Sequence, residues 1–197
     1  MSSKRNNSNL DDHFYMEQAL GLAVKNYGLT GENPSVGCIL VKNNQIISSG
    51  VTGINGRPHA EANAIKKSLI NVNGSTLYAT LEPCNHYGKT PPCTNLIKNK
   101  KIKKVVYGIN DIDPRTSKTA KKFFKSKKIK VIEGILSKKL NNFYKSYFYI
   151  KRNKLPYVIG KIASSNDNFI KSKKSKMLTN NFSQDVSHLL RYRSHAI

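Results

Sequence analysis

The chain has 197 residues, with 34 Lys and Arg against 11 Asp and Glu, a formal charge of +23, no Trp and three Cys. A hydrophobic content of 38% excludes disorder throughout, and the length suits one ordinary domain with roughly fifty residues to spare. The polar opening Met1-Ser-Ser-Lys-Arg-Asn-Asn-Ser-Asn lacks the apolar run of a signal peptide, and no stretch nears the roughly 18 apolar residues of a membrane span, so a cytoplasmic protein with reduced thiols and no membrane partner is expected.

Residues 1–10 read as a disordered lead-in. Asp11-Asp12 can cap a helix running to about Tyr27, with Phe14, Ala19, Leu22 and Ala23 on its apolar side, and Gly28 and Gly31 break it. The apolar runs Val36–Val41 and Gln45–Val51, separated by Lys42-Asn43-Asn44, predict a hairpin. A helix is predicted over 60–70, a strand over 76–81 and a loop from Glu82 to Pro92. A helix over 95–100 follows, then a strand over 104–109, a helix over 117–127, a strand over 129–132 and a helix over 136–150. Helices alternating with strands imply an α/β layer structure whose sheet is mixed and mostly parallel. A change of character falls near Arg152–Pro156, followed by one strand over 157–163 and a helix over 183–193.

The chemistry gathers in the first half. Pro58-His59-Ala60-Glu61 stands where a loop enters a helix, and Glu82-Pro83-Cys84 follows, with Cys93 after it. One His and two Cys give the three protein ligands of a catalytic zinc site, which keeps its fourth position for water. The borderline-soft zinc ion accepts imidazole and thiolate together. His-x-Glu followed by Pro-Cys and a second Cys is the zinc deaminase signature, in which the Glu shuttles protons and does not bind metal. Each residue has a blander reading alone. His59 can be a loop histidine, Cys84 a small buried hydrophobe, and Cys84–Cys93 a disulfide. Cys38 reads as core, and His86 is a rival ligand lying very close to Cys84.

The eight residues between Cys84 and Cys93, Asn-His-Tyr-Gly-Lys-Thr-Pro-Pro, set this chain apart from deaminases with Cys-x-x-Cys. With Thr80-Leu-Glu-Pro83 before them and Asn33-Pro-Ser-Val-Gly-Cys38 upstream, they resemble the deaminase domain of the bifunctional riboflavin biosynthesis deaminase/reductase family. That resemblance implies a three-layer αβα, cytidine-deaminase-like domain over residues 11–150. It further implies hydrolysis of a pyrimidine ribosyl phosphate, 2,5-diamino-6-ribosylamino-4(3H)-pyrimidinone 5′-phosphate, with release of ammonia. In this sequence His59, Cys84 and Cys93 would hold one zinc ion, Glu61 would move the proton, and Asn33, Lys89 and Asp113 would contact substrate. Lys89 also suits a phosphate on its own chemistry, as a flexible ammonium in a glycine-containing loop.

Three positions depart from the family pattern. Thr52 stands where a His is common. Asp111-Ile-Asp113-Pro replaces Asp-Pro-Asn-Pro, and the glycine-rich continuation becomes Arg115-Thr-Ser-Lys118. Asp113 would repel a nearby phosphate unless Arg115 or Lys118 compensated. Residues 151–197 resemble the opening of the family's reductase, through Tyr157-Val-Ile-Gly-Lys161, His188-Leu-Leu-Arg191 and Ala196-Ile197. Ser165-Asn-Asp-Asn168 and Gln184 differ from its usual residues. An incomplete reductase-like segment is therefore expected, with NADPH implied only where a complete reductase domain follows.

Residues 1–97 carry +2 and residues 98–197 carry +21, with 28 Lys against 6 Arg. This motivates a second reading, a nucleic-acid deaminase acting on a flipped base. Recognition of phosphates and bases favours Arg, however, so lysine-rich composition explains the charge better and a nucleic-acid partner is not expected. A third reading is a catalytically inactive, zinc-bearing interaction protein, motivated by Thr52 and Asp113. A homo-oligomer is compatible with each.

Overall fold

Five of the six predicted strands form and join into one sheet. In the computed structural model, which describes residues 3–165, 168–170 and 179–194, they are β1 (Gly37–Lys42), β2 (Gln45–Val51), β3 (Thr76–Leu81), β4 (Lys104–Ile109) and β5 (Lys130–Glu133). Their order across the sheet is β2-β1-β3-β4-β5. β1 is antiparallel to both neighbours, whereas β3, β4 and β5 are parallel. β1 alone therefore runs against the other four. The β1–β2 hairpin turns at Asn43 and Asn44, with φ of 51° and 59°, a left-handed pair that Asn tolerates well.

Among the described residues there are seven α-helices: α1 (Ser3–Lys25), α2 (Ala60–Lys67), α3 (Cys93–Asn99), α4 (Thr119–Ser126), α5 (Ser137–Phe143), α6 (Lys145–Asn153) and α7 (Asn181–Tyr192). Strand side chains alternate between two cores, as the two-residue period requires. Cys38, Leu40, Leu77, Ala79, Val105 and Tyr107 pack with Ala60, Ala64, Ile97 and Phe124 of α2, α3 and α4. Ile39, Val41, Tyr78 and Val106 pack with Met16, Ala19, Leu140 and Phe148 on the other face. The result is the expected αβα layering, and Cys38 is the core residue its setting predicts.

Because β2, β3 and β4 point the same way, the segments leaving them collect at one end of the sheet, the usual place for a site in an α/β fold. The loops at 52–59, 82–92 and 110–118 meet there, joined by the segment entering β1. Gly50 lets α2 approach closely: a β-carbon on it would lie 2.3 Å from the Ala60 carbonyl oxygen and 2.4 Å from the Ala64 nitrogen.

Four expectations need correction. The lead-in is helical from Ser3, since nothing in that polar run breaks a helix. Asp12 is thus a side chain within α1 and not its cap; it is buried and accepts bonds from Tyr78 Oη (2.6 Å) and Lys104 Nζ (2.7 Å). The helix predicted over 136–150 is two helices divided at Tyr144 (φ −88°, ψ 9°). The Tyr144 hydroxyl is buried, donates to the Ser35 carbonyl (2.9 Å) and bonds the Thr80 hydroxyl (2.6 Å). The strand predicted over 157–163 does not form, because those residues pair with no strand among the described residues. Asn166-Asp167 and Ala196-Ile197, singled out in the sequence, lie outside the described residues.

Candidate metal centre and active site

His59 ends the loop leaving β2, immediately before α2, with extended backbone (φ −66°, ψ 157°) and its carbonyl accepting the Asn63 N–H at 3.0 Å. Glu61 follows in the first turn of α2 and is buried. Cys84 comes three residues after the end of β3, and Cys93 opens α3. The metal-binding atoms of His59, Cys84 and Cys93 lie within 4.8 Å of one another. His59 turns Nδ1 toward both sulfurs, at 3.4 Å from each.

These distances test whether zinc fits. With zinc–nitrogen bonds of about 2.0–2.1 Å and zinc–sulfur bonds of about 2.3 Å, tetrahedral angles separate nitrogen from sulfur by about 3.6 Å. The observed 3.4 Å matches that edge, and the donor set is the borderline-soft mixture zinc accepts. A third distance fixes the pair: the Cys93 backbone N–H donates to Cys84 Sγ at 3.3 Å. All three cysteines are free, so no disulfide competes for the sulfurs.

Local electrostatics prepare the same atoms. Hydrogen bonding from the Cys93 thiol, from His59 and from the Cys93 N–H lowers the Cys84 thiol well below its ordinary range. Its thiolate in turn raises the His59 imidazole. Burial is the main cause that pushes Glu61 up to about 7, with His59 pulling in the other direction. A carboxyl near neutrality can both accept and release a proton.

The other predicted residues lie around this cluster. Asn33 packs on Gly56, whose φ is +88°; a β-carbon there would lie 2.0 Å from Asn33 Nδ2. That contact sets Asn33 beside the loop that delivers His59. Lys89 is exposed on the loop between the two cysteines, where the Gly88 N–H donates to the Thr90 carbonyl at 3.2 Å. Arg57 donates to the Thr90 hydroxyl and so ties the two loops together. Asp113 sits on the loop after β4. Arg115 supplies its compensation, donating from the backbone N–H at 3.0 Å and from Nε at 2.9 Å.

His86 is outside the metal cluster: its Nδ1 bonds the Thr116 hydroxyl at 2.8 Å. Thr52 is buried, and its hydroxyl accepts the Val36 N–H at 2.9 Å, fastening the segment before β1. Sequence reasoning missed the part played by Glu82. Its buried carboxylate accepts the backbone N–H groups of Asp111 (3.2 Å), Lys118 (2.9 Å) and Ala120 (3.0 Å). The available signal was an acidic residue placed directly between an apolar strand and Pro-Cys.

Residues 10–109 match the family model for the cytidine and deoxycytidylate deaminase zinc-binding region. A diaminohydroxyphosphoribosylamino-pyrimidine deaminase of Buchnera aphidicola subsp. Schizaphis graminum is 39% identical over 147 residues, which is 75% of this chain and 100% of that protein. This chain belongs to that deaminase family. The riboflavin biosynthesis protein RibD of Buchnera aphidicola subsp. Baizongia pistaciae is 40% identical over 191 residues, 95% of this chain and 51% of its own length. A crystal structure of the Thermotoga maritima deaminase/reductase superimposes with a TM-score of 0.83 at 35% identity, covering 92% of this chain and 53% of that one. The chain spans about half the length of the RibD relatives it matches. The deaminase fold read from the sequence is thus the fold of its family. No helix among the described residues is long and apolar enough to cross a membrane.

Proposed function

We propose that this chain catalyses the zinc-dependent hydrolytic deamination of 2,5-diamino-6-ribosylamino-4(3H)-pyrimidinone 5′-phosphate in riboflavin biosynthesis. The observation that carries the reading is His59 Nδ1 lying 3.4 Å from both cysteine sulfurs, with Glu61 buried beside them, in a member of this deaminase family. His59, Cys84 and Cys93 hold the metal. Zinc bound there supplies an acidified water, lowering its pKa from 15.7 to about 7.

Glu61 takes a proton from the attacking water and returns it to the departing amino nitrogen. A carbon–oxygen bond forms, the bond from the ring carbon to its exocyclic amino nitrogen breaks, one proton of the water leaves within ammonia and the other stays on the ring nitrogen of the dione product. Asn33 and Asp113 orient the pyrimidine and its ribosyl group. Lys89 meets the 5′-phosphate, as a point charge able to follow it on a flexible stem.

The metal donors His59, Cys84 and Cys93 all come from one chain. The free cysteines are consistent with a reducing cytoplasm. A small substrate also agrees with the placement of charge. Exposed Lys100, Lys101, Lys103, Lys127, Lys128 and Lys130 cluster where β4 and β5 begin, at the end of the sheet opposite the site.

The test is ammonia release from the diaminopyrimidine phosphate by protein holding one zinc per chain. Glu61→Gln should keep the zinc and lower kcat by about 10²–10⁴-fold, the usual range for a lost general acid–base. Full activity in that variant overturns the role of Glu61, and zinc-loaded wild type without turnover overturns the function.

A further inference from the structure

Cys84 is bracketed. Glu82 stands two residues before it and His86 two residues after it, and both reach across to the same segment, residues 111–120. The Glu82 carboxylate receives the N–H groups of Asp111, Lys118 and Ala120, while His86 Nδ1 meets the Thr116 hydroxyl at 2.8 Å. Both attachments are internal, for Glu82 and Thr116 are buried. Between them lies a closed turn. The N–H groups of Thr116 (2.9 Å) and Ser117 (2.8 Å) donate to the Asp113 carbonyl, and the Asp113 N–H donates to Asp111 Oδ1 (3.1 Å). The turn is thus bonded to itself; Tyr147 Oη also donates to Asp111 Oδ1 at 3.2 Å, and among the described residues Glu82 and His86 are the side chains that bond the turn to the metal-bearing segment.

We infer that Glu82, His86 and Thr116 are positioning residues, which hold the 111–118 turn, and Asp113 on it, at a fixed distance from the metal ligand Cys84. None of the three needs to touch substrate. A buried carboxylate collecting three backbone N–H groups from one loop fixes that loop against the residue carrying the carboxylate. The His86–Thr116 bond then removes the remaining rotation about that anchor. The site would thereby hold its substrate wall on the rigid end of β3 in spite of the loop's length. The inference rests on the proposed deamination only for the identity of the substrate.

The experiment compares Thr116→Val, Thr116→Ser and Glu82→Gln in the zinc-loaded full chain, by steady-state kinetics, zinc content and amide hydrogen exchange. Val keeps the shape of Thr116 and deletes its hydroxyl. Gln keeps the shape of Glu82 but turns an N–H₂ toward a backbone N–H. Thr116→Val and Glu82→Gln should each raise KM about tenfold or more with a smaller change in kcat and unchanged zinc, while Thr116→Ser restores wild-type KM. The Lys118 and Ala120 amides should exchange at least about tenfold faster in Glu82→Gln. Unchanged KM in an active Thr116→Val enzyme overturns the inference, as does a fall in thermal stability with KM unmoved. If the wild type itself does not turn over, the proposed function fails and exchange alone decides the bracket: unaltered exchange at Lys118 and Ala120 overturns it, and faster exchange supports it.

Discussion

Asp12 of α1 and Lys104 of β4, 92 residues apart in sequence, meet at 2.7 Å with the Asp12 side chain almost wholly buried. Tyr78 Oη donates to the same carboxylate at 2.6 Å. The pair pins α1 to the middle of the sheet. Asp12→Ala would strand a tyrosine hydroxyl and a lysine ammonium together. Breaking a buried pair from one side costs about 3–5 kcal/mol, and the lysine's partial exposure places this one toward the lower end. Urea unfolding should show the loss as a lower midpoint with an unchanged slope.

Metal binding should also be visible as stability. The three donors converge only in the folded chain, so an ion bound to them stabilises the native state alone. At free zinc 100 times Kd the gain is about 2.7 kcal/mol, or about 5–10 °C in Tm for a chain of this size. Calorimetry with zinc and then with chelator should show that difference. Cys84→Ser should lose most of it, because thiolate is the softer ligand.

The strands were legible because each is a short apolar run closed by polar or turn residues, and Gln45–Val51, Thr76–Leu81 and Lys104–Ile109 fall where the pattern places them. His59, Glu61, Cys84 and Cys93 were legible because their chemistry demands fixed residue types near fixed elements. What escaped depends on partners far along the chain. Nothing local says that Asp12 will find Tyr78 and Lys104, or that Tyr144 will break a helix so that its hydroxyl meets Ser35 and Thr80. Glu82 escaped for the same reason, since its donors lie 29, 36 and 38 residues downstream. The failed strand at 157–163 is the converse: its composition suits a sheet, but strand formation needs a neighbour with free edge groups.

The substitution at Asp113 makes a pH prediction. The Arg115 side chain is the main cause that lowers the Asp113 carboxyl to about 2, from an ordinary 3.8. Because the folded value is depressed, the pair's stabilisation is complete above the unfolded value near 4 and is lost as pH falls through about 2. Arg115 is 64% exposed on its side chain, so solvent screening keeps the contribution small. Carbon-detected NMR titration should find Asp113 ionised well below the other surface carboxylates. Arg115→Ala should move its midpoint up toward the ordinary range, and no movement would show that the ion pair does not form in solution.

The tail offers the sharpest contrast within the chain. Val158, Ile159 and Ile162 are 83%, 69% and 81% exposed, whereas Val106 in β4 is fully buried. Backbone groups at 157–163 belong to no strand among the described residues. Opening them costs almost nothing, so their amides should exchange near the unprotected rate. The amides of β4, bonded on both sides by β3 and β5, should exchange only with opening of the sheet. Substitution should divide the two regions in the same way. Val158→Thr should change stability by less than about 0.5 kcal/mol, as exposed changes generally do. Val106→Thr, which buries a hydroxyl among apolar neighbours, should cost about 1–3 kcal/mol. Slow exchange at 157–163, or a comparable loss from both substitutions, would mean that the segment packs against something in solution.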